Sequence, residues 1–197
     1  MRKLITLLIA GAVASSAASP QSPPEASGDA LVYVGDKLQK PANYREWIFL
    51  SAGLDMSYSS TQTPGHHMFG NAFVNPQAYR EFQKTGTWPD KTAIVLETRG
   101  AQNKGSINRA GLFQDGDVMG VEVHVKDESR FSGKWAFFAF DGDRPAPMIP
   151  TDAQCYACHA QHAAVDTTFV PFYPTLLSLA TTKATLSASY LAENPKP

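Results

Sequence analysis

The stretch Asp117-Val118-Met119-Gly120-Val121-Glu122-Val123-His124-Val125 decides the fold, because apolar and polar side chains alternate along it. From Met119 onward, one face of the extended chain carries only apolar side chains, those of Met119, Val121, Val123 and Val125. The other face carries Glu122 and His124. This period of two predicts a β-strand with one buried face. We therefore expect Met119 to pack in the core and His124 to face solvent.

Further strands are predicted on both sides of this segment, over residues 67–74, 92–98, 106–114 and 134–140. Strands that follow one another without long helices between them predict an antiparallel meander. The run Trp135-Ala136-Phe137-Phe138-Ala139-Phe140 is apolar on both faces. Such a strand is central in its sheet or covered on both sides by a cofactor or a second subunit, and we expect the central position.

Helices are predicted before, between and after these strands. Residues 43–50 have helical amphipathicity, and Asn75-Pro76 opens a helix that Gly86 ends. A third helix is expected from Thr151 through the cysteines, and a final one over residues 173–180. The predicted fold class is α+β: a mainly antiparallel β-sheet with flanking helices in a single domain.

The N-terminus reads as a secretory signal peptide. Met1-Arg2-Lys3 is followed by an apolar run to Val13 and a small-residue stretch to Ser19. An uncleaved anchor is the alternative, but the run is about half of the roughly 20 residues that a spanning helix needs. We expect a signal at 1–19, a flexible leader at 20–29, the domain at 30–190 and a tail at 191–197. The expected location is outside the cytoplasm, with no membrane span after signal removal.

Composition limits the possible partners and folds. The chain has 17 basic and 18 acidic residues, a net charge of −1, so the basic excess typical of nucleic-acid binders is absent. With only two cysteines the chain is not a scaffold held by many disulfides.

Both cysteines fall in Cys155-Tyr156-Ala157-Cys158-His159, the attachment sequence of c-type haem. Two thiols three residues apart can each form a thioether with one vinyl group of a haem. The adjacent His159 can then give its imidazole to the iron. The motif therefore predicts one covalently attached haem c, with Cys155 and Cys158 as thioether residues and His159 as the metal ligand.

Other interpretations of the motif remain possible from the residues. A thioredoxin-like redox pair needs a βαβ context, which the preceding strands do not provide. A zinc site would need His162 as its fourth ligand, at a spacing atypical of zinc fingers. A plain disulfide leaves the adjacent histidine unexplained.

The sixth ligand of the iron would decide the function. An electron-transfer cytochrome closes this position with Met or His, whereas a gas-binding protein or an enzyme leaves it open. Met68, Met119 and Met148 are candidates for a distal ligand or a pocket wall.

The chain resembles the cytochrome P-460 family, including its cytochrome c′-beta relatives, over about residues 42–180. The stretches that carry the resemblance are Asn43 to Trp47, Val74 to Tyr79, Lys84 to Asp90, Gly120 to Asp127, Arg130-Phe131, Trp135 to Phe138, Cys155 to His159 and Phe172 to Pro174. The resemblance implies a mainly antiparallel domain, a homodimer, periplasmic residence and one pentacoordinate haem c on Cys155, Cys158 and His159.

One position departs from the catalytic members of that family, in which a strand lysine is joined to the haem and hydroxylamine is oxidised. Alignment on Trp88-Pro89-Asp90 puts Leu96 at the lysine position, while Lys91 lies at the strand start. The resemblance then implies an apolar distal wall at Leu96, completed by Met68 or Phe69. Glu122 matches an acidic residue of the family and is the candidate proton acceptor; the alternative is a surface carboxylate paired with Lys126 or Arg109.

The expected function is a periplasmic mono-haem cytochrome that binds NO or a similar small ligand at an open site. The alternatives are an enzyme that oxidises hydroxylamine and passes electrons to a partner cytochrome, and a simple electron carrier.

Overall fold

A five-stranded antiparallel sheet forms the centre of the molecule. The computed structural model describes residues 31–58 and 65–195. Its strands are β1 (Tyr33–Val34), β2 (Lys37–Leu38), β3 (Ile48–Leu54), β4 (Met68–Val74), β5 (Ala93–Gln102), β6 (Phe113–Lys126) and β7 (Trp135–Phe140). The last five pair in the order β3-β4-β5-β6-β7, and β1 pairs with β2 in a separate hairpin. The predicted antiparallel meander is confirmed.

Helices flank the sheet, and the α+β fold class is confirmed. They are α1 (Pro76–Thr85), α2 (Gln154–His162), α3 (Pro174–Thr182) and α4 (Ala188–Glu193), with 3-10 turns at Tyr44–Glu46 and Val170–Phe172. Across the described ranges, none of the helices combines the length and the apolar character needed to cross a bilayer.

Helix α1 begins and ends where its sequence predicts. Pro76 occupies the first turn, and Gly86 ends the helix in the left-handed conformation, with φ of 78°. A Cβ on Gly86 would lie 2.8 Å from the Cβ of Lys183, so glycine is required both by the backbone and by the close approach.

The two faces of the sheet are covered by different parts of the chain. The front face is defined here by Ile94, Leu96, Glu122, His124 and Phe137, which cross-strand pairing places in adjacent rows. Helices α1 and α3 pack on one end of this face, around Val74, Ile94 and Trp135. The back face is defined by the intervening residues, Val95, Glu97, Val121, Val123 and Phe138, and the segment before β3 packs on it.

The helix expected over residues 43–50 is wrong. The helical turn covers only Tyr44–Glu46, and Trp47 is already extended, with ψ of 173°. Tyr44 and Trp47 are buried on the back face, and β3 begins directly afterwards at Ile48 and pairs with β4. Strand pairing therefore prevails over the helical periodicity.

The strand expected over residues 106–114 is also wrong, since β6 begins only at Phe113. Ser106 and Gly111 have positive φ angles of 48° and 82°, which extended chain does not adopt. Met119 is not a core residue either and is 62% exposed. The register of β5 with β6 shifts beside it, between Thr98 and Arg99, so a bulge removes Met119 from the regular alternation.

Strand β7 is an edge strand, so its expected central position is wrong. Its apolar character on both faces has another reason. Phe138 packs in the back core, while Phe137 contacts His124 and Tyr156 on the front face. The expected solvent-facing His124 is likewise wrong, because the front face is covered at this point and His124 is 8% exposed.

The expectations for the chain ends have different outcomes. The signal at 1–19 and the leader at 20–29 lie outside the described residues. Tyr173 to Ala180 is not the last helix, because α4 follows α3 and continues to Glu193, inside the segment expected as a tail.

Candidate functional site

Helix α2 carries both cysteines and is fastened to the edge of the sheet through Tyr156. The Tyr156 hydroxyl accepts a hydrogen bond from the backbone N–H of Phe137 at 3.2 Å and donates one to the carbonyl of Ile149 at 3.1 Å. The rings of Tyr156 and Phe137 also meet edge to face, 4.9 Å apart. These contacts place α2 beside the front face.

Cys155 and Cys158 are free thiols, and both are half-buried. Residues three apart in a helix project from the same side, so the two thiols share one side of α2. None of the residues of α2 is fully buried. Both thiols are therefore accessible to a group that lies against the helix.

His159 lies in a nest of aromatic rings. Its ring centroid is 4.6 Å from Phe137, 4.5 Å from Phe169 and 5.1 Å from His124. Its Nδ1 atom is 2.7 Å from the carbonyl oxygen of Thr167. A carbonyl only accepts hydrogen bonds, so Nδ1 carries the proton and donates it, and Nε2 is left with a lone pair.

The electrostatics of His159 favour this neutral form. Burial lowers the pKa of His159 below its ordinary value of 6.5, against a smaller opposite effect of the hydrogen bond with Thr167. A neutral imidazole with Nδ1–H and an unprotonated Nε2 is the form that binds a metal.

Thr167 contacts a second histidine through its side chain. Its Oγ1 lies 3.1 Å from Nε2 of His124. Burial lowers the pKa of His124 well below 6.5, and the proximity of His159 adds to this effect. His124 is therefore neutral, and it stacks on Phe137 with ring centroids 4.0 Å apart.

The loop that carries Thr167 is braced by the Trp88-Pro89-Asp90 segment. The indole N–H of Trp88 donates to Thr168 Oγ1 at 2.8 Å, and its backbone N–H donates to Asp166 at 3.3 Å. The Lys126 ammonium donates to the carbonyl of Trp88 at 2.6 Å. The segment around Trp88, between α1 and β5, thus holds the backbone of the loop that contacts His159.

Next to the aromatic nest the front face is open. The row after His124 and Phe137 consists of Ala72, Leu96, Glu122 and Ala139, and the row beyond it contains Gly70, Thr98 and Gly120. Leu96 is 40% exposed, and Glu122 and Ala139 are exposed. Burial raises the pKa of the Tyr58 hydroxyl at the rim, and the proximity of Cys158 and Glu122 adds to this effect. Leu96 and Ala139 therefore expose apolar surface beside the Glu122 carboxylate, whereas Ala72 is buried at the edge of the core.

The structure separates the two residues expected to complete the distal wall. Met68 shares the front face with Leu96 and is 43% exposed. Phe69 is one residue further along the regular strand β4, so its side chain belongs to the back face. The structure thus brings Met68, and not Phe69, to the face of Leu96.

Glu122 is the direct cross-strand neighbour of Leu96. Within residues 31–58 and 65–195 its carboxylate forms no hydrogen bond or ion pair. Lys126, the partner considered for it, instead contacts the Trp88 carbonyl and Asp166.

Other candidate residues are occupied or lie elsewhere. His162 pairs with Glu193 at 2.7 Å, and Met148 bridges to Phe138 at the edge of β7. The Lys91 ammonium binds the Asp127 carboxylate and Ser129. None of the seven residues in the two open rows is a lysine.

The donor set fits a covalently held haem. Two accessible thiols, an imidazole with Nε2 free and an adjacent apolar surface are the groups that such a cofactor needs. A zinc site fits less well, since the described part of the chain brings no three His, Cys, Asp or Glu side chains into a metal-binding cluster.

Sequence reasoning missed the residues that hold His159. Thr167 and Phe169 carry no local pattern, and their importance arises only when the loop folds back onto α2. His124 did carry a signal, because its alternation with Glu122 placed both on one face of the strand.

A family model described as cytochrome P460 matches residues 41–170. The matched region contains the five-stranded sheet, α1 and α2, and therefore all the residues of the site. A comparison of the chain with curated proteins found no matching relative.

Proposed function

The chain belongs to the cytochrome P460 family and is a haem-binding cytochrome, and from this premise we propose that it is a periplasmic mono-haem c-type cytochrome. We propose further that it binds NO or a similar small ligand at an open iron position. The observation that carries the proposal is the placement of His159, with Nε2 free, on the same sheet face as the open row around Leu96.

Cys155 and Cys158 would hold the cofactor. Each thiol would be joined to one vinyl group of the haem as a thioether. The haem would supply an iron with one coordination position for His159 and another for a diatomic ligand. The predicted signal peptide supports this assignment, because haem attachment of this type occurs outside the cytoplasm.

Leu96 would form the wall of the ligand site. Its side chain donates no hydrogen bond, and its neighbours Ala72 and Ala139 do not either. A wall without a donor gives no selective stabilisation to a polar ligand such as O₂ and favours NO and CO.

The attachment is tested by replacing both thiols, as Cys155→Ala with Cys158→Ala. We expect haem staining on a denaturing gel to disappear, because the chain has no other cysteine. Ala157→Ser, an exposed residue between the two thiols, is the matched control and keeps its stain. A double variant that still stains contradicts the attachment.

Oxidation of hydroxylamine is a second candidate function, and the observation that favours it is the Glu122 carboxylate beside Leu96, which has no ion-pair partner within residues 31–58 and 65–195. Glu122 would accept a proton from the substrate, and a partner cytochrome would take up the electrons. Reduction of an added acceptor by hydroxylamine, lost in Glu122→Gln, supports this activity. An unreactive wild type excludes it.

We also propose that the protein is a homodimer, as the family resemblance implies. In the described part of the chain β3 is an edge strand, and Phe49 and Leu54 on it are 55% and 44% exposed. An exposed apolar edge strand is a surface that proteins commonly cover. Light scattering during size-exclusion chromatography gives the mass directly, and a monomer contradicts the proposal.

A further inference from the structure

We propose that His124 and Thr167 are positioning residues for the imidazole of His159. The inference deepens the proposed function and rests on it, because it takes His159 as the iron ligand. It assigns a role to a buried histidine and a loop threonine that belong to neither the thioether motif nor the ligand wall.

Thr167 joins the two histidines through two different atoms. Its carbonyl oxygen accepts the proton of His159 Nδ1 at 2.7 Å, and its hydroxyl hydrogen-bonds with His124 Nε2 at 3.1 Å. Thr167 therefore contacts both histidines. Its carbonyl fixes the tautomer of His159, and its hydroxyl is bound to His124, a side chain of the sheet.

His124 is a fixed reference point for this link. It lies on β6, which pairs with β5 on one side and β7 on the other. Its ring stacks on Phe137, nearly parallel at 10°, and lies 4.4 Å from Trp135. A buried ring held between two aromatic rings in a sheet loses its freedom to rotate, so Thr167 is tied to a rigid element.

The rings also restrict the orientation of His159. His124 and Phe137 both meet it edge to face, at 78° and 68°. Phe169, two residues after Thr167, contacts it at 4.5 Å. The loop thus supplies both the hydrogen-bond acceptor and one wall of the nest.

The chemical consequence concerns the electron density at Nε2. A strong hydrogen bond from Nδ1–H makes the imidazole a more basic ligand and fixes its orientation. If the hydroxyl link to His124 is lost, the Thr167 carbonyl becomes free to move and its bond to Nδ1–H weakens. The iron–histidine bond then weakens, and the reduced state of the iron becomes easier to reach.

The test compares two variants. Thr167→Val replaces the hydroxyl by a methyl group of similar size, and His124→Phe keeps an aromatic ring for stacking. Resonance Raman spectra of the ferrous protein give the iron–histidine stretching frequency, and a redox titration gives the potential. We expect both variants to lower the frequency and raise the potential. The double variant should match the single ones, since all three lose the same hydrogen bond.

Two further variants make the result decisive. Thr167→Ser keeps the hydroxyl and is expected to keep the wild-type frequency and potential. His162→Phe removes an exposed histidine of α2 that pairs with Glu193, and it should also change neither value. If His124→Phe does not fold, the Val and Ser variants at position 167 still decide the question.

Unchanged frequency and potential in Thr167→Val overturn the inference, as do shifts that add in the double variant. Failure of the proposed function gives a different result: the wild-type ferrous protein itself then shows no iron–histidine band.

Discussion

Leu96 is the residue whose chemistry would separate the two activities proposed for this site. It stands between Ala72 and Glu122 in a row of cross-strand neighbours on the open part of the front face. It offers neither an amine for a covalent link nor a donor for a polar ligand. The same position with a different side chain would therefore favour a different ligand.

Leu96→Gln tests this role directly. The introduced amide can donate a hydrogen bond, which contributes about 1 kcal/mol, so we expect the affinity for O₂ relative to CO to rise roughly fivefold. Ligand titrations of the ferrous protein measure the ratio. Leu96→Met, which keeps the wall apolar, is the control and should keep the wild-type ratio. An unchanged ratio in the glutamine variant would place Leu96 away from the ligand.

At the scale of single residues, the sequence predicts the site residues that belong to one short motif. Cys155 and His159 belong to one short motif whose spacing is explained by the bonds that we propose it forms with a haem. The contact between His159 and Thr167 joins residues eight apart through a loop reversal, and no side-chain pattern marks a backbone carbonyl as an acceptor. The solvent-facing position expected for His124 is wrong because alternation indicates which face a side chain is on, but not what covers that face.

At the scale of elements, the segment between α1 and β5 braces the loop after α2. Trp88 is 1% exposed, and its ring lies 4.3 Å from Phe82 of α1. Its indole N–H donates to Thr168, next to the residue that holds His159. Elements far apart in sequence thus meet at the loop that holds His159, the proposed metal ligand.

Trp88→Phe removes this hydrogen bond and part of the buried ring. Trp47→Phe is a matched control, because Trp47 is also buried and its indole nitrogen has no partner among the described residues. We expect the free energy of unfolding to fall by about 1 kcal/mol more in Trp88→Phe than in Trp47→Phe. Urea denaturation of both variants measures the difference, and equal losses would show that the brace contributes nothing to stability.

The elements whose structure differs from the expectation share one cause. Residues 43–50 have a helical period, yet β3 begins at Ile48 because the edge of β4 is available for pairing. Strand β7 looks central because both of its faces are apolar, although it is an edge strand covered by the back core and by α2. Tertiary contacts decided these elements, whereas α1, with its proline start and glycine end, was predictable from local signals.

At the scale of the whole molecule, the back face of the sheet ties the N-terminal segment to the domain. The buried Glu97 carboxylate accepts hydrogen bonds from Tyr44, Arg45 and Arg99. Burial acts to raise the pKa of Glu97, but these hydrogen bonds outweigh it and hold the pKa below its ordinary value of 4.5.

Glu97→Gln is expected to destabilise the domain by about 2 kcal/mol at neutral pH, since hydrogen bonds to a charged group are each worth roughly 1.5–3 kcal/mol. The folded-state pKa is lowered, so this stabilisation is fully present above the unfolded-state value and is lost as the pH falls through the folded-state value. Denaturation curves should therefore converge in acid. A difference that is constant with pH would contradict the role of the charge.

We propose that Cys155, Cys158 and His159 would hold a haem and that its iron would keep an open coordination position for a small ligand near Leu96. The absorption spectrum of the ferrous protein, recorded with and without CO, tests it most directly. We expect a high-spin ferrous spectrum of ordinary c-type haem, which changes to that of a CO-bound form when CO is added. A low-spin spectrum that CO leaves unaltered would show a closed sixth position and contradict the claim.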